Sequence, residues 1–155
     1  MTQTHDLSRY DPVWRAAEPY MRARKNDVHI PLSFDWAVRL LEHFPQADRD
    51  VCLLAILLHD IGWWAIDMET ILAEGFRGAN ILQSDVRYRH EAEGVRLAVP
   101  VLRDTGWSEA VIAQVCEITW QLRGQADGRQ VEGATAGVTV NHGLFGHGSS
   151  VVLST

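Results

Sequence analysis

The chain has 155 residues, 46% of them apolar, and a formal net charge of -6. That is enough material for one substantial buried core rather than several large domains. The acidic balance argues against binding of a phosphate backbone, which needs a clustered basic surface, so nucleic acid polymers are not expected partners.

The longest apolar run, Val51 to Leu58, falls far short of the ~20 residues of a membrane span. The N-terminus lacks the basic-then-apolar pattern of a secretion signal, so a cytoplasmic, reduced protein with no membrane partner is expected. Its two cysteines, Cys52 and Cys116, have no Cys or His neighbours at zinc-finger spacing. Both sit in apolar helical patterns and read as small buried hydrophobes.

In chain order, Asp11-Pro12 fits a helix start, and Val13, Trp14, Ala17, Tyr20 and Met21 follow at amphipathic spacing. The basic stretch Arg22-Ala23-Arg24-Lys25 closes this segment; it is either a solvated helix end or a rim that contacts phosphate, which arginine forks bind well. The next helix is predicted from His29 to Phe44, with Trp36, Ala37, Leu40 and Leu41 as its inward stripe and Pro45 as its stop. His43 reads as a helix-end residue.

A helix from about Asp48 to His59 begins with polar residues, as the helix dipole prefers, and continues as a run apolar on all sides. Such a helix is normally buried. It delivers His59 and Asp60 side by side before Gly62. Neighbours on a helix point about 100° apart, so the two can share an ion only if it lies beyond the helix end. A neutral imidazole and a carboxylate suit Mn, Fe, Zn or Mg-type ions. Burial also predicts that the pair lies deep, where an unpaired charge is costly and a cation compensates it.

From Ala65 to Arg89 the helical pattern weakens at Gly75 and Gly78. This polar stretch reads as a surface loop with some helical turns or as the lining of a pocket, and Arg77, Arg87 and Arg89 are its best candidates to clamp a phosphate. His90 opens a further predicted helix with Ala92, Val95, Leu97, Ala98, Val101 and Leu102 on its apolar stripe and a kink at Pro100. Gly106-Trp107-Ser108 then forms a turn and N-cap for a last helix, Glu109 to Trp120, with stripe Val111, Ile112, Val115, Cys116 and Ile118.

A leading His29, then Leu57-Leu58-His59-Asp60-Ile61-Gly62, then His90-Glu91-Ala92-Glu93-Gly94 resembles the HD superfamily of metal-dependent phosphohydrolases over about residues 27-120. The resemblance implies an all-α HD-type helical bundle, and a divalent metal ion (Mn, Fe, Zn or Mg) held by His29, His59 and Asp60, with His90 joining the metal centre or meeting the substrate. His59 and Asp60 then carry the chemistry, and the partner is a small phosphate ester or nucleotide. Two departures matter. Trp63-Trp64 stand where the family commonly has a lysine, which makes Trp63 a candidate for substrate contact. The closing aspartate expected near the end of the last helix is replaced by Ile118-Thr119-Trp120-Gln121-Leu122.

Composition changes after residue 122. Seven of the twelve glycines lie between Gly124 and Thr155, whereas all six tryptophans precede them. β-branched runs at 136-141 and 149-153 around a Gly-rich turn predict a hairpin, so residues 1-122 form the helical domain and 123-155 a short β-prone tail. The tail resembles the extreme C-terminus of thiolase-like enzymes, on residues Gln125 to Gln130 and Val140 to Ser150. It contains no cysteine, and His147 is followed by glycine, so no thiolase activity is expected. His142 and His147 read as loop residues. A fused foreign tail on a shortened HD domain is the simplest account. It leaves two other readings open: a non-catalytic module that binds a ligand or protein, or a non-functional fusion whose bare apolar face drives homo-oligomerisation or aggregation.

Overall fold

The computed structural model describes residues 6-74, 85-121, 138-141 and 150-153. Its helices are α1 (Asp11–Ala17), α2 (Asn26–Leu41), α3 (Arg49–Leu58), α4 (Met68–Glu74), α5 (Asp85–Asp104) and α6 (Glu109–Gln121). Single 3-10 turns occupy Ser8–Tyr10, Glu18–Arg22 and Ile61–Ala65. The only strands among the described residues, β1 (Val138–Asn141) and β2 (Ser150–Leu153), pair antiparallel with Val138 opposite Leu153 and Asn141 opposite Ser150. The fold is all-α with a small C-terminal hairpin, as the sequence pattern predicts. No helix among the described residues is long and apolar enough to cross a membrane.

Helix α3 is the axle. Val51, Leu53, Leu54, Ala55, Leu57 and Leu58 are all buried, so it presents apolar surface in nearly every direction. It packs against α2 and α6, while α5 covers α6 and the turn after α3. Its start is defined chemically: Asp48 is the N-cap, its carboxylate accepting the Val51 amide at 3.1 Å. Likewise Ser108 caps α6, its hydroxyl accepting the Val111 amide at 3.3 Å. Gly106 takes φ +85 before it, the left-handed value that suits glycine at the end of α5.

The N-terminal segment follows its predicted phase, with Val13, Ala17 and Met21 buried. It changes from α to 3-10 at Glu18 because Pro19 has no N–H to donate to the preceding turn. Tyr10 anchors it: the ring stacks on Trp107 at 6.0 Å and meets Phe34 edge-on, and the hydroxyl donates to Asp50 at 2.6 Å. Burial and the neighbouring Asp50 carboxylate raise the Tyr10 pKa, so the phenol is neutral.

Four expectations need correction. Helix α2 begins three residues before His29, so His29 lies in its first turn, and the helix ends at Leu41 rather than Phe44. The inward residues of α2 are Ile30 and Phe34, with Ala37, Val38 and Leu41 packed behind them, whereas Trp36 and Leu40 face solvent. The positions 30, 34, 37, 38 and 41 are themselves a 3.6-residue stripe, and the size of Trp36 drew the sequence reading to the wrong one. Helix α5 starts at Asp85, which puts His90 in its second turn, and it runs through Pro100 on an exposed position. On α6, Ile118 is exposed and Thr119 is buried in its place, its hydroxyl donating to the Val115 carbonyl at 2.8 Å.

The chain after α3 turns so tightly that Gly62 lies against the backbone of α5. A Cβ added at Gly62 would run into the carbonyl oxygen of His90 and the amide nitrogen of Gly94, with the Gly94 Cα at 2.9 Å. A Cβ added at Gly94 would meet only ordinary contacts, the nearest at 3.7 Å. Gly62→Ala is therefore expected to cost about 3 kcal/mol and Gly94→Ala to be close to neutral, as read from urea unfolding of the two variants. Equal effects would show that the contact is not asymmetric.

Candidate metal centre

Three ligand atoms meet where α2 and α3 converge. His59 follows the last residue of α3, and its Nδ1 lies 2.7 Å from the Ile56 carbonyl oxygen. A carbonyl only accepts, so Nδ1 carries the proton and the Nε2 lone pair points away from the helix. His29 Nε2 lies 3.1 Å from His59 Nε2. Two ring nitrogens that close need a proton or a cation between them. Asp60 Oδ2 is 3.6 Å from each of these nitrogens.

A triangle with sides 3.1, 3.6 and 3.6 Å has a circumradius of about 2.0 Å, which is the distance at which imidazole and carboxylate ligands hold a Zn-sized ion. His29, His59 and Asp60 thus form a group able to hold a metal. One side is open: His29 keeps half of its side chain in solvent, against 19% for His59 and 21% for Asp60. The pair at the end of α3 is therefore half-buried rather than deep, because it sits beyond the helix end and not within it.

The group is held by residues that sequence reasoning missed. Asn26, 1% exposed, donates from Nδ2 to the Asp60 backbone carbonyl at 2.9 Å and so ties the start of α2 to the turn after α3. Immediately before it, Arg24 and Lys25 have φ of +50 and +60, the only non-glycine residues among those described in the left-handed region. Each such residue costs on the order of 1 kcal/mol or more and persists only where its surroundings enforce it. The Lys25 carbonyl then accepts the Val28 and His29 amides at 3.0 Å, which starts the helical turn carrying His29. The only sequence signal for Asn26 is its place three residues before a candidate ligand.

His90 lies on the far side of the carboxylate. Its Nε2 is 3.8 Å from Asp60 Oδ1, the oxygen not used in the triangle, which is beyond hydrogen-bonding range but close enough for electrostatic influence. The imidazole is 5% exposed and stacks on Trp63 at 4.0 Å with an 11° tilt. The Arg24 guanidinium carbon lies 4.1 Å from the centre of the same indole, within cation–π range. Trp63 is itself buried and supports His90 and Arg24; its neighbour Trp64 is the exposed one, with Tyr20 edge-on at 5.2 Å.

Of the three arginines predicted to clamp a phosphate, only Arg89 has a described side chain. Arg77 lies outside the described residues, as do His142 and His147, and Arg87 is placed only as part of the first turn of α5. Arg89 is exposed, and its charge helps to hold the Asp67 carboxyl below the usual range, after the larger effect of Thr70. Thr70 donates to Asp67 from its amide at 2.8 Å and its hydroxyl at 2.7 Å, which caps α4. No carboxylate from α6 joins the three-residue group among the described residues. The buried residue near that helix end is Thr119, and Asp127 lies outside the described residues.

No protein-family profile and no solved structure matches the chain. Among curated proteins it is similar to an acetyl-CoA acetyltransferase of Methanothermobacter thermautotrophicus, 55% identical over 40 residues, which is 26% of this chain and 10% of that enzyme. A local match to such an enzyme is in keeping with the resemblance noted for the tail, and the chain spans only a tenth of that enzyme's length. The helical fold with its His-Asp group is compatible with an HD domain.

Asn26→Ala should weaken divalent-ion affinity by roughly tenfold or more, the usual effect of removing a group that orients a ligand. Titration of the purified variant with a divalent cation checks this. Affinity equal to that of the wild type would show that the Asn26 contact does not set the position of Asp60.

Proposed function

We propose that the chain is a metal-dependent phosphohydrolase of HD type, acting on a small phosphate ester or nucleotide. The observation that carries this reading is the triangle of His29 Nε2, His59 Nε2 and Asp60 Oδ2, whose dimensions fit one ion and whose donor set is that of hydrolytic metal sites. A divalent cation at that place supplies electrostatic stabilisation of a phosphoryl group and acidifies water.

The chain's own residues do the rest. His59 is fixed in one tautomer by Ile56, so its lone pair needs no reorientation. Asp60 brings one oxygen to the triangle and turns the other towards His90. Arg24 stacks its guanidinium on Trp63, the indole that also lies against His90. Three protein ligands leave positions open, which catalysis requires.

A binding module that takes up metal and ligand without turnover is the second reading. What favours it is Thr119, a buried residue with no charge, near the place where the family resemblance expects an aspartate. Acyl transfer is not proposed from the tail match. Burial pushes the Cys116 thiol up to about 11 and also raises that of Cys52, so both are protonated and poorly nucleophilic near neutral pH.

Elemental analysis of the purified chain beside His59→Ala and Asp60→Ala tests the centre, followed by a screen of phosphomonoesters and nucleotides. The expected result is about one divalent ion per chain, lost in both variants, with hydrolysis reduced by roughly a hundredfold or more. A folded wild type that takes up no divalent ion sinks the hydrolase. Stoichiometric metal without hydrolysis selects the binding module.

A further inference from the structure

The two strands of the tail sort their residues by polarity. Antiparallel partners lie on the same face of a pair, and neighbours along a strand lie on opposite faces. Val138 opposite Leu153 and Val140 opposite Val151 therefore gather four aliphatic residues on one face. Thr139 opposite Val152 and Asn141 opposite Ser150 give the other face three polar residues out of four. A hairpin built this way has one side suited to water and one suited to burial.

Two strands alone do not meet that demand. An isolated two-stranded hairpin is marginal in water and needs a further strand or a helix to pack on. No third strand joins the pair among the described residues. A helix does lie beside it: β2 is in contact with α6, the helix that precedes the tail in the chain.

Helix α6 has apolar surface to offer beyond its core row. Ile112, Val115 and Cys116 are buried, and α6 packs against α3 and α5. Val111 is half-buried and Ile118 is 36% exposed, seven residues apart and so two turns along one flank. Among the large apolar side chains at the described surface, Ile118 is the least exposed, since the others are at 51% or more. Seven residues of helix rise ~10.5 Å, and a strand of four residues spans ~10 Å. Strip and strand match in length as well as in chemistry.

We propose that the C-terminal hairpin is a strap that lays its Val138, Val140, Val151 and Leu153 face on α6 and so stabilises the last helix of the domain. The proposal does not rest on the metal centre. A strap needs no catalytic group, in keeping with a tail that contains no cysteine.

Adjacent valines in β2 supply the test. Val151 and Val152 share a strand, so an aspartate at either brings a similar loss of strand preference, but only Val151 belongs to the aliphatic face. In the full chain, Val151→Asp should lower the thermal midpoint of the helical circular dichroism signal by about 5 °C or more. It should also speed hydrogen exchange of the α6 amides by roughly tenfold or more. Val151→Thr, which keeps the shape of the side chain, should fall between Val151→Asp and the wild type. Val152→Asp should shift the midpoint by less than about 2 °C. A Val151→Asp chain that melts or exchanges like the wild type, or a Val152→Asp chain that loses as much as Val151→Asp, overturns the proposal.

Discussion

The approach of Gly62 to the backbone of α5 is the constraint on which the rest of the centre depends. With no side chain in the way, the turn after α3 lies directly on the His90 carbonyl and the Gly94 amide. That contact sets how far the end of α3 stands from α5, and so the 3.8 Å between Asp60 and His90. It also leaves room for Trp63 to lie flat on the His90 ring immediately beyond the glycine. A wider turn would separate the two histidine-bearing helices by the width of a side chain.

The remaining constraint comes from α2. Its first turn must enter from the other side at a set height, and the chain achieves this with two left-handed residues and one buried amide. Strain at Arg24 and Lys25 is tolerated because Asn26 fastens the turn to the Asp60 carbonyl. The same bend swings the Arg24 guanidinium over Trp63. One local distortion therefore positions a ligand helix and a positive charge together.

The helices were legible in the sequence because their signals are local. Asp48, Ser108 and Gly106 mark ends through capping and turn chemistry, and the apolar run of α3 reads as buried whatever surrounds it. The pair His59 and Asp60 was legible at the end of an apolar helix, and His29 was added to it by the family resemblance. The phase of α2 was not, since Trp36 and Leu40 belong to an apolar row as regular as the buried one, and only packing decides between two such rows. Nor was Asn26, because its partner is a backbone carbonyl 34 residues away. Nor did the sequence show that Trp63 would be buried against the His90 ring, a contact that depends on packing between distant segments. The β-prone tail was recognisable by the same local logic of β-branched runs around glycines, and its two strands pair with Asn141 opposite Ser150.

The hydrogen bond from His59 to the Ile56 carbonyl serves two ends at once. The last carbonyls of any helix lack amide partners, and here an imidazole takes one of them. The proton that completes the helix is the same proton that excludes the other tautomer. Helix completion and ligand readiness are therefore a single event: fraying of the last turn of α3 would also free the ring to rotate and to exchange its tautomer. Any cation that selects the ordered ring acts in turn as a helix stop, holding the final turn of a helix whose apolar residues are buried on nearly every side. Occupancy of the centre and order in the core then become two readings of one equilibrium.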